Sequence, residues 1–390
     1  MLSRRHLRIK VFHGLYALQV AREANYELAV DFITDAFKPN LNSMEPQDLQ
    51  QLESLRKTAT TLLEKNYRSG QIDKDDQTHS HAFVAAKNAL TQYLQRTKED
   101  SERICRKMPA EIDGVYDTYL FVLQLFVEMG VLSKNERDRQ YEDPDGPKLS
   151  RIAGFDTNQI IQALTDHKAL QTEIIRRGAS WNDAQSTFVR KLFRDIFRND
   201  ETYQAYCTKF PHTAAEDQEL VSYALKNVLF KHEDCLTFLE QNDLYWNETS
   251  DIVRKMATKT LKSTQEPEGT ELSPLTDSWD EDQFFMEELF KQTLHNEQQY
   301  EEFIAEPLKN WDADRLASTD YLILKMALSE MMNFPGIPVK VTINEAIELA
   351  KEYSTPKSGK FVNGILDTLS KSLINDGKIR KSGRGLLDNK

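Results

Sequence analysis

WDADRLASTDYLILKMALSEMMNFPGIPVKVTINEAIELAKEYSTPKSGKFVNGILDTLSK, Trp311–Lys371, is the stretch whose reading decides the fold of this chain. Across Ser318–Met332, Leu322, Ile323, Met326, Ala327 and Met331 recur at helical spacing and mark an inward face. Pro335-Gly336-Ile337-Pro338 cannot continue that helix, because proline lacks the amide donor and collides with the preceding turn. Thr342 with Glu345 three residues on reads as a capping box opening a second helix that buries Ala346, Leu349 and Ala350. Ser354–Gly359 reads as a turn, and Lys360–Leu373 as a closing helix with Phe361, Ile365, Leu366 and Leu369 inward.

Working outward, residues 3–24 begin with Ser3 as N-cap and carry the stripe Leu7, Val11, Leu15 and Leu18, with Phe12 and Tyr16 beside it. A helix here projects Arg4, Arg5 and Arg8 together at its solvated N-terminal turns. Further helices are expected from Pro46 to Lys65, with Leu49, Leu52, Leu55, Leu62 and Leu63 inward, over His79–Arg106, and over Val115–Val131. The aromatic group Tyr116, Tyr119, Phe121 and Phe126 in the last of these reads as core, not as a base-stacking platform. Polar, Pro- and Gly-bearing breaks fall at 133–157 and Ser263–Asp277. The expected organisation is a helical region at 1–135 with a basic first helix, a middle helical region at 158–264, a C-terminal domain at 278–376 and a basic tail at 377–390.

Aligning Trp246 with Trp311 sets Leu225 on Phe290, Leu229 on Leu294, Phe238 on Phe303 and Leu239 on Ile304; beyond the tryptophans, with about five residues extra in the later copy, Lys255-Met256-Ala257 meets Lys325-Met326-Ala327. The middle region therefore reads as a degenerate repeat of the last unit. A helix-packing pattern shared by unrelated segments would give much of the same match.

Composition is consistent with an all-α protein of helical bundles. Only 14 Gly and 12 Pro occur in 390 residues, and 29% of residues are charged. The net charge of −12 argues against a protein that coats nucleic acid over its whole surface, though both termini are locally basic. Cys105, Cys207 and Cys235 are unclustered and read as small buried hydrophobes, with neither disulfide nor zinc spacing. No apolar run approaches the roughly 20 residues needed to span a bilayer, and Arg8, Lys10 and His13 interrupt any secretory core, so the expectation is a cytoplasmic protein without membrane contact. No GxGxxG, P-loop, GxSxG or HExxH pattern occurs, so no catalytic residue or cofactor is assigned. His79 and His81 lack further clustered ligands, and no metal site is assigned.

The C-terminal blocks are similar to the signature of the NusB family of transcription antitermination factors. They are Trp311 and Arg315, the helix bearing Leu324, Lys325, Ala327 and Glu330, the elbow Pro338-Val339-Lys340, and INEAIELAK (Ile343–Lys351) and KFVNGILD (Lys360–Asp367). Arg4, Arg5 and Arg8 followed by Leu15-Tyr16 resemble the family's Arg-rich first helix. The resemblance covers roughly residues 1–20 and 280–375 and implies a NusB-like C-terminal bundle, interrupted by a long helical insertion. Ile9 stands where the family usually has Glu, and Lys325 where Arg is common; neither removes the positive charge expected at an RNA face.

The resemblance implies an adaptor that binds boxA-type single-stranded RNA of nascent ribosomal transcripts together with NusE, the small-subunit ribosomal protein, within the RNA polymerase antitermination complex. Carried over position by position, it marks Arg4, Arg5 and Arg8 for RNA, Lys360 and Phe361 at the start of the FVNG helix as second-rank RNA candidates, and Tyr16 and Asp320 for the NusE interface. Asn363 and Gly364 read as structural. Two rivals stand against this reading. An RNA methyltransferase fusion would need a glycine-rich loop and a catalytic Cys, which the chain lacks; a helical scaffold without RNA binding would use the insertion for docking.

Overall fold

The computed structural model describes residues 2–42, 46–73, 79–142, 152–179, 181–264, 269–308 and 317–389, and the regular elements among them are all helical. The all-α expectation holds. The chain divides into two compact units, each discontinuous: Met1–His6 with Ala110–Trp279, and Leu7–Pro109 with Asp280–Lys390.

Helix α1 (Arg4–Ala36) runs a dozen residues past its expected end at residue 24, burying Asn25, Ala29 and Ile33. Helix α2 (Leu49–Asn66) is capped by Asp48, whose carboxylate accepts from the amides of Gln50 and Gln51 at 3.0 Å. Its buried positions are Ala59 and Leu63, whereas Leu49 is exposed. Helix α3 (Ser80–Glu142) is one helix of 63 residues where two were expected. Pro109 lies inside it. A proline there costs about 3 kcal/mol, and the flanking buried residues Met108, Ile112, Val115 and Tyr119 offset it. The helix also continues through Lys134–Glu142, within the expected break. Lys, Glu and Arg are strong helix formers, so a solvated charged helix resembles a loop in composition.

In the first unit, Tyr119, Leu120, Val122, Leu123, Leu125, Phe126 and Met129 of α3 are buried. The helix contains an 18-residue window of mean hydropathy 1.4, 56% of it inside the protein. By length and composition it is therefore apolar enough to cross a membrane, contrary to the expectation that no run would be, although its packed side chains form a core. The Tyr119 hydroxyl pairs with Thr260 Oγ1 at 2.7 Å and accepts from the Ser273 amide at 3.0 Å, so its burial leaves no unmet bond. Around it lie α4 (Gln159–Thr165), α5 (Lys168–Arg177), α6 (Asp183–Lys191), α7 (Glu201–Cys207), α8 (Ala214–Tyr223), α9 (Glu233–Asn242) and α10 (Trp246–Ser263). Leu225, Leu239, Met256 and Ala257 are buried like their aligned counterparts Phe290, Ile304, Met326 and Ala327. Lys255, however, is exposed where Lys325 is buried. Trp311 and Arg315 lie outside the described residues. All three cysteines are free and buried.

The second unit holds the first part of α3 and α11 (Trp279–His295), α12 (Glu297–Leu308), α13 (Ser318–Asn333), α14 (Val339–Tyr353) and α15 (Ser358–Asn375). Helix α13 is its axis. Every residue from Leu322 to Met331 is buried, so this helix is enclosed on all sides. That includes Lys325, Ser329 and Glu330, whose polar groups must be met internally. Helix α14 begins three residues before the expected capping box. Pro338 holds the N-cap position at φ −59°, which leaves Thr342 inside the first turns of the helix and frees its hydroxyl for another partner.

Candidate nucleic-acid interface

The start of α1 is built by Ser3 and His6. The Ser3 amide donates to His6 Nδ1 at 3.2 Å, and the Ser3 hydroxyl lies 2.8 Å from the same nitrogen. Both contacts run from Ser3 to one ring nitrogen, which accepts from a backbone amide that the helix start would leave open. Burial, then Lys255, the N-terminal amine and Arg5, lower the His6 pKa, which preserves the neutral ring that Nδ1 needs in order to accept. Arg4 and Arg5 are exposed in this first turn.

Arg8 does not project with them. It is 5% exposed and its fork is closed on Glu330, Nε to Oε2 at 2.7 Å and Nη2 to Oε1 at 2.9 Å. Thr342 Oγ1 donates to the same carboxylate at 2.6 Å, Glu345 Oε2 lies 4.0 Å from the guanidinium, and the Phe285 ring sits 5.5 Å from it. A bidentate charged pair with a third hydrogen bond is the form in which burial of two ions is tolerated. Arg8 thus fastens α1 to α13 and α14. Spacing alone placed it one turn after Arg4 and Arg5 and said nothing of the face that α13 covers.

Lys325 is a second correction. Its charge is not at an exposed face: the side chain is buried and its ammonium is bonded to Glu297, with Glu301 at 3.4 Å and the Tyr321 ring at 5.1 Å. Glu297 also takes the Arg22 guanidinium at 2.7 Å. Burial raises the Glu297 pKa, but the Arg22 and Lys325 charges outweigh it and hold the carboxyl below its usual range. Burial, Glu301 and Glu297 together push the Tyr321 phenol up to about 12.

Asp320 is 4% exposed, in the first turn of α13. Ser358, the first residue of α15, donates from Oγ to Asp320 Oδ2 at 2.7 Å, and Thr355, Ser354 and Thr319 extend the hydroxyl chain. A carboxylate beside two helix N-termini is favourably placed. Lys360 in the same first turn of α15 is exposed and Phe361 half-buried. Tyr16 is 44% exposed on α1, with Val20 exposed one turn further; beneath them Phe12 packs 5.3 Å from the Tyr353 ring.

Within the second unit the predicted residues fall at two ends of α14. Arg8 meets its first half through Thr342 and Glu345, whereas Lys360 and Phe361 follow its last residue. A helix of 15 residues spans about 22 Å at a 1.5 Å rise per residue. The residues that sequence reasoning missed are Glu297, Arg22 and Thr342 as charge and hydroxyl partners. No local signal could pair them, since Arg8 and Glu330 are 322 positions apart.

Residues 251–371 match the model of the NusB family. A transcription antitermination protein NusB of Salinibacter ruber is 44% identical over 103 residues, 26% of this chain and 64% of that protein. One of Chloroherpeton thalassium is 43% identical over 104 residues, 27% of this chain and 49% of that protein. The chain therefore spans less than two thirds of the length of these curated relatives. The solved structure of T. maritima NusB is 27% identical, with a TM-score of 0.24, covering 41% of this chain and 95% of that one.

Proposed function

We propose that this protein is a transcription antitermination factor, an adaptor that loads single-stranded RNA of the boxA type together with NusE; its residues 251–371 match the model of the NusB family. The observation that carries this reading is the family match across the helices that build the charged interior of the second unit. On this reading the protein works in the cytoplasm, on nascent ribosomal transcripts, as part of the RNA polymerase antitermination complex. Its own chemistry is binding, without catalysis.

The roles differ among the marked residues. Arg4 and Arg5 offer exposed guanidinium forks at a helix start, suited to phosphate and base-edge acceptors. Lys360 supplies a cation and the half-buried Phe361 a ring edge on which a splayed base can stack. Arg8 serves RNA indirectly, by holding α1 against α13 and α14. Tyr16, with Val20, offers apolar surface to NusE, and Asp320 supports that partner surface from below by tying the start of α15 to α13.

An electrophoretic titration of boxA-type RNA, with and without NusE at low salt, tests the reading. A shift that strengthens when NusE is added is the expected result. No shift under either condition refutes RNA binding and leaves the helical scaffold as the better account.

A further inference from the structure

We propose that the docked C-terminal tail is a second phosphate-contacting surface for single-stranded RNA; this rests on the RNA-binding reading above. Beyond α15 the chain does not simply trail away. Gly377 takes φ 68°, and the amides of Lys378 and Ile379 donate back to the Leu373 carbonyl at 2.9 and 3.1 Å. Ile379 is buried at 5% exposure. The tail then lies across the elbow between α13 and α14. Lys381 Nζ donates to the Phe334 carbonyl and the Ser382 amide to the Pro335 carbonyl, both at 3.0 Å. At Gly385 the approach is so close that a Cβ would lie 2.0 Å from the Pro335 oxygen.

This path fixes where the charges stand. Lys378, Arg380 and Arg384 are exposed along the docked segment, and Lys340 is exposed in the first turn of α14 beside the same elbow. Lys378 is steadied over the Phe303 ring at 4.5 Å, and Arg380 Nε donates to the Gly377 carbonyl at 3.0 Å. Asp376 and Asp388 are the acidic residues of the segment, so the tail is net positive on a chain of net charge −12. A free basic tail would attract polyanions, but ordering it on binding costs about 1–2 kcal/mol per residue. Docking removes that cost beforehand and presents the guanidinium groups at set positions. Arg380 and Arg384, with no aromatic ring packed on them among the described residues, suit backbone phosphates better than base edges.

Two full-length variants separate charge from placement. Arg380→Gln with Arg384→Gln removes two charges and keeps the backbone bonds; Gly385→Val keeps every charge and displaces the tail from Pro335. Binding of a labelled boxA-type single strand is followed by anisotropy from 50 to 200 mM salt, with NusE present. Each phosphate contact contributes about 0.7 to the log–log salt slope on a single strand, so losing two lowers it by about 1.4. Over that fourfold salt range wild type should lose about sevenfold more affinity than either variant. Wild-type slope and affinity in both variants, with RNA still bound, overturn this proposal and leave RNA binding intact. A loss in the arginine variant alone overturns the docking argument, and an equal loss on double-stranded DNA overturns the assignment to single-stranded RNA. No binding by the wild-type chain overturns both readings together.

Discussion

Replacing Arg8 with Met would leave the Glu330 carboxylate, 1% exposed, without either guanidinium bond and, among the described residues, with the Thr342 hydroxyl as its remaining side-chain donor. Removing one partner of a buried ion pair costs about 3–5 kcal/mol, because the other charge stays behind uncompensated. Glu330→Met should cost a similar amount for the mirror-image reason. The double variant removes both charges and fills the site with side chains of similar length, so it should cost less than either single change. The chain has two compact units, so a single global unfolding energy is not assumed. Native-state hydrogen exchange, followed by mass spectrometry on α13 peptides, reads the opening of that helix directly. A loss of 3 kcal/mol corresponds to exchange faster by more than about 100-fold, at 1.4 kcal/mol per factor of ten. The reasoning fails if each single change costs under about 1 kcal/mol, the range of an exposed pair, or if the double variant costs the sum of the two.

Other outcomes follow from the same geometry. Arg4→Ala with Arg5→Ala should leave α13 exchange within about 0.5 kcal/mol of wild type while weakening boxA-type RNA binding in filter or anisotropy assays; a stability loss like that of Arg8→Met would show that these residues are also internal. Phe361→Ala should weaken RNA binding by about 1–3 kcal/mol if its ring stacks a base, and Phe361→Trp should restore it; equal affinity in all three assigns the ring to packing. His6 has a folded pKa below its ordinary 6.5, so the unfolded chain binds the proton more readily. Its contribution to stability is therefore present above about pH 6.5 and is lost as pH falls through that value towards the depressed folded pKa. Thermal melts at pH 7.5 and 5.5 should show a smaller difference for His6→Asn, whose side-chain oxygen accepts at either pH, than for wild type.

Local information was enough for several of the helices. The bounds of α13 and α15, the stop at Pro335–Pro338 and the apolar stripe of α1 are all written in spacing and chain-breakers, because helix periodicity and proline geometry act within a turn or two. The misreadings have a common cause. The expected ends at Arg106 and Val131 both fall inside α3, because packing elsewhere along the helix outweighs the bond lost at Pro109, and charged residues suit a solvated helix as well as a loop. Thr342 looked like a cap until Pro338 started α14 earlier and Glu330 claimed the hydroxyl.

The sequence by itself determined that this is an all-helical chain with NusB-like blocks near its end, and that its first helix opens with three arginines. Only the tertiary structure decided what those arginines do. Arg4 and Arg5 stay in solvent, while Arg8 is taken inward by a carboxylate 322 positions away. Lys325 is likewise claimed by Glu297 while Arg384 is exposed, though composition treats both as cations. The reason is physical: helix formation is dictated by near neighbours, but whether a charge is buried depends on which distant group arrives to offset its desolvation.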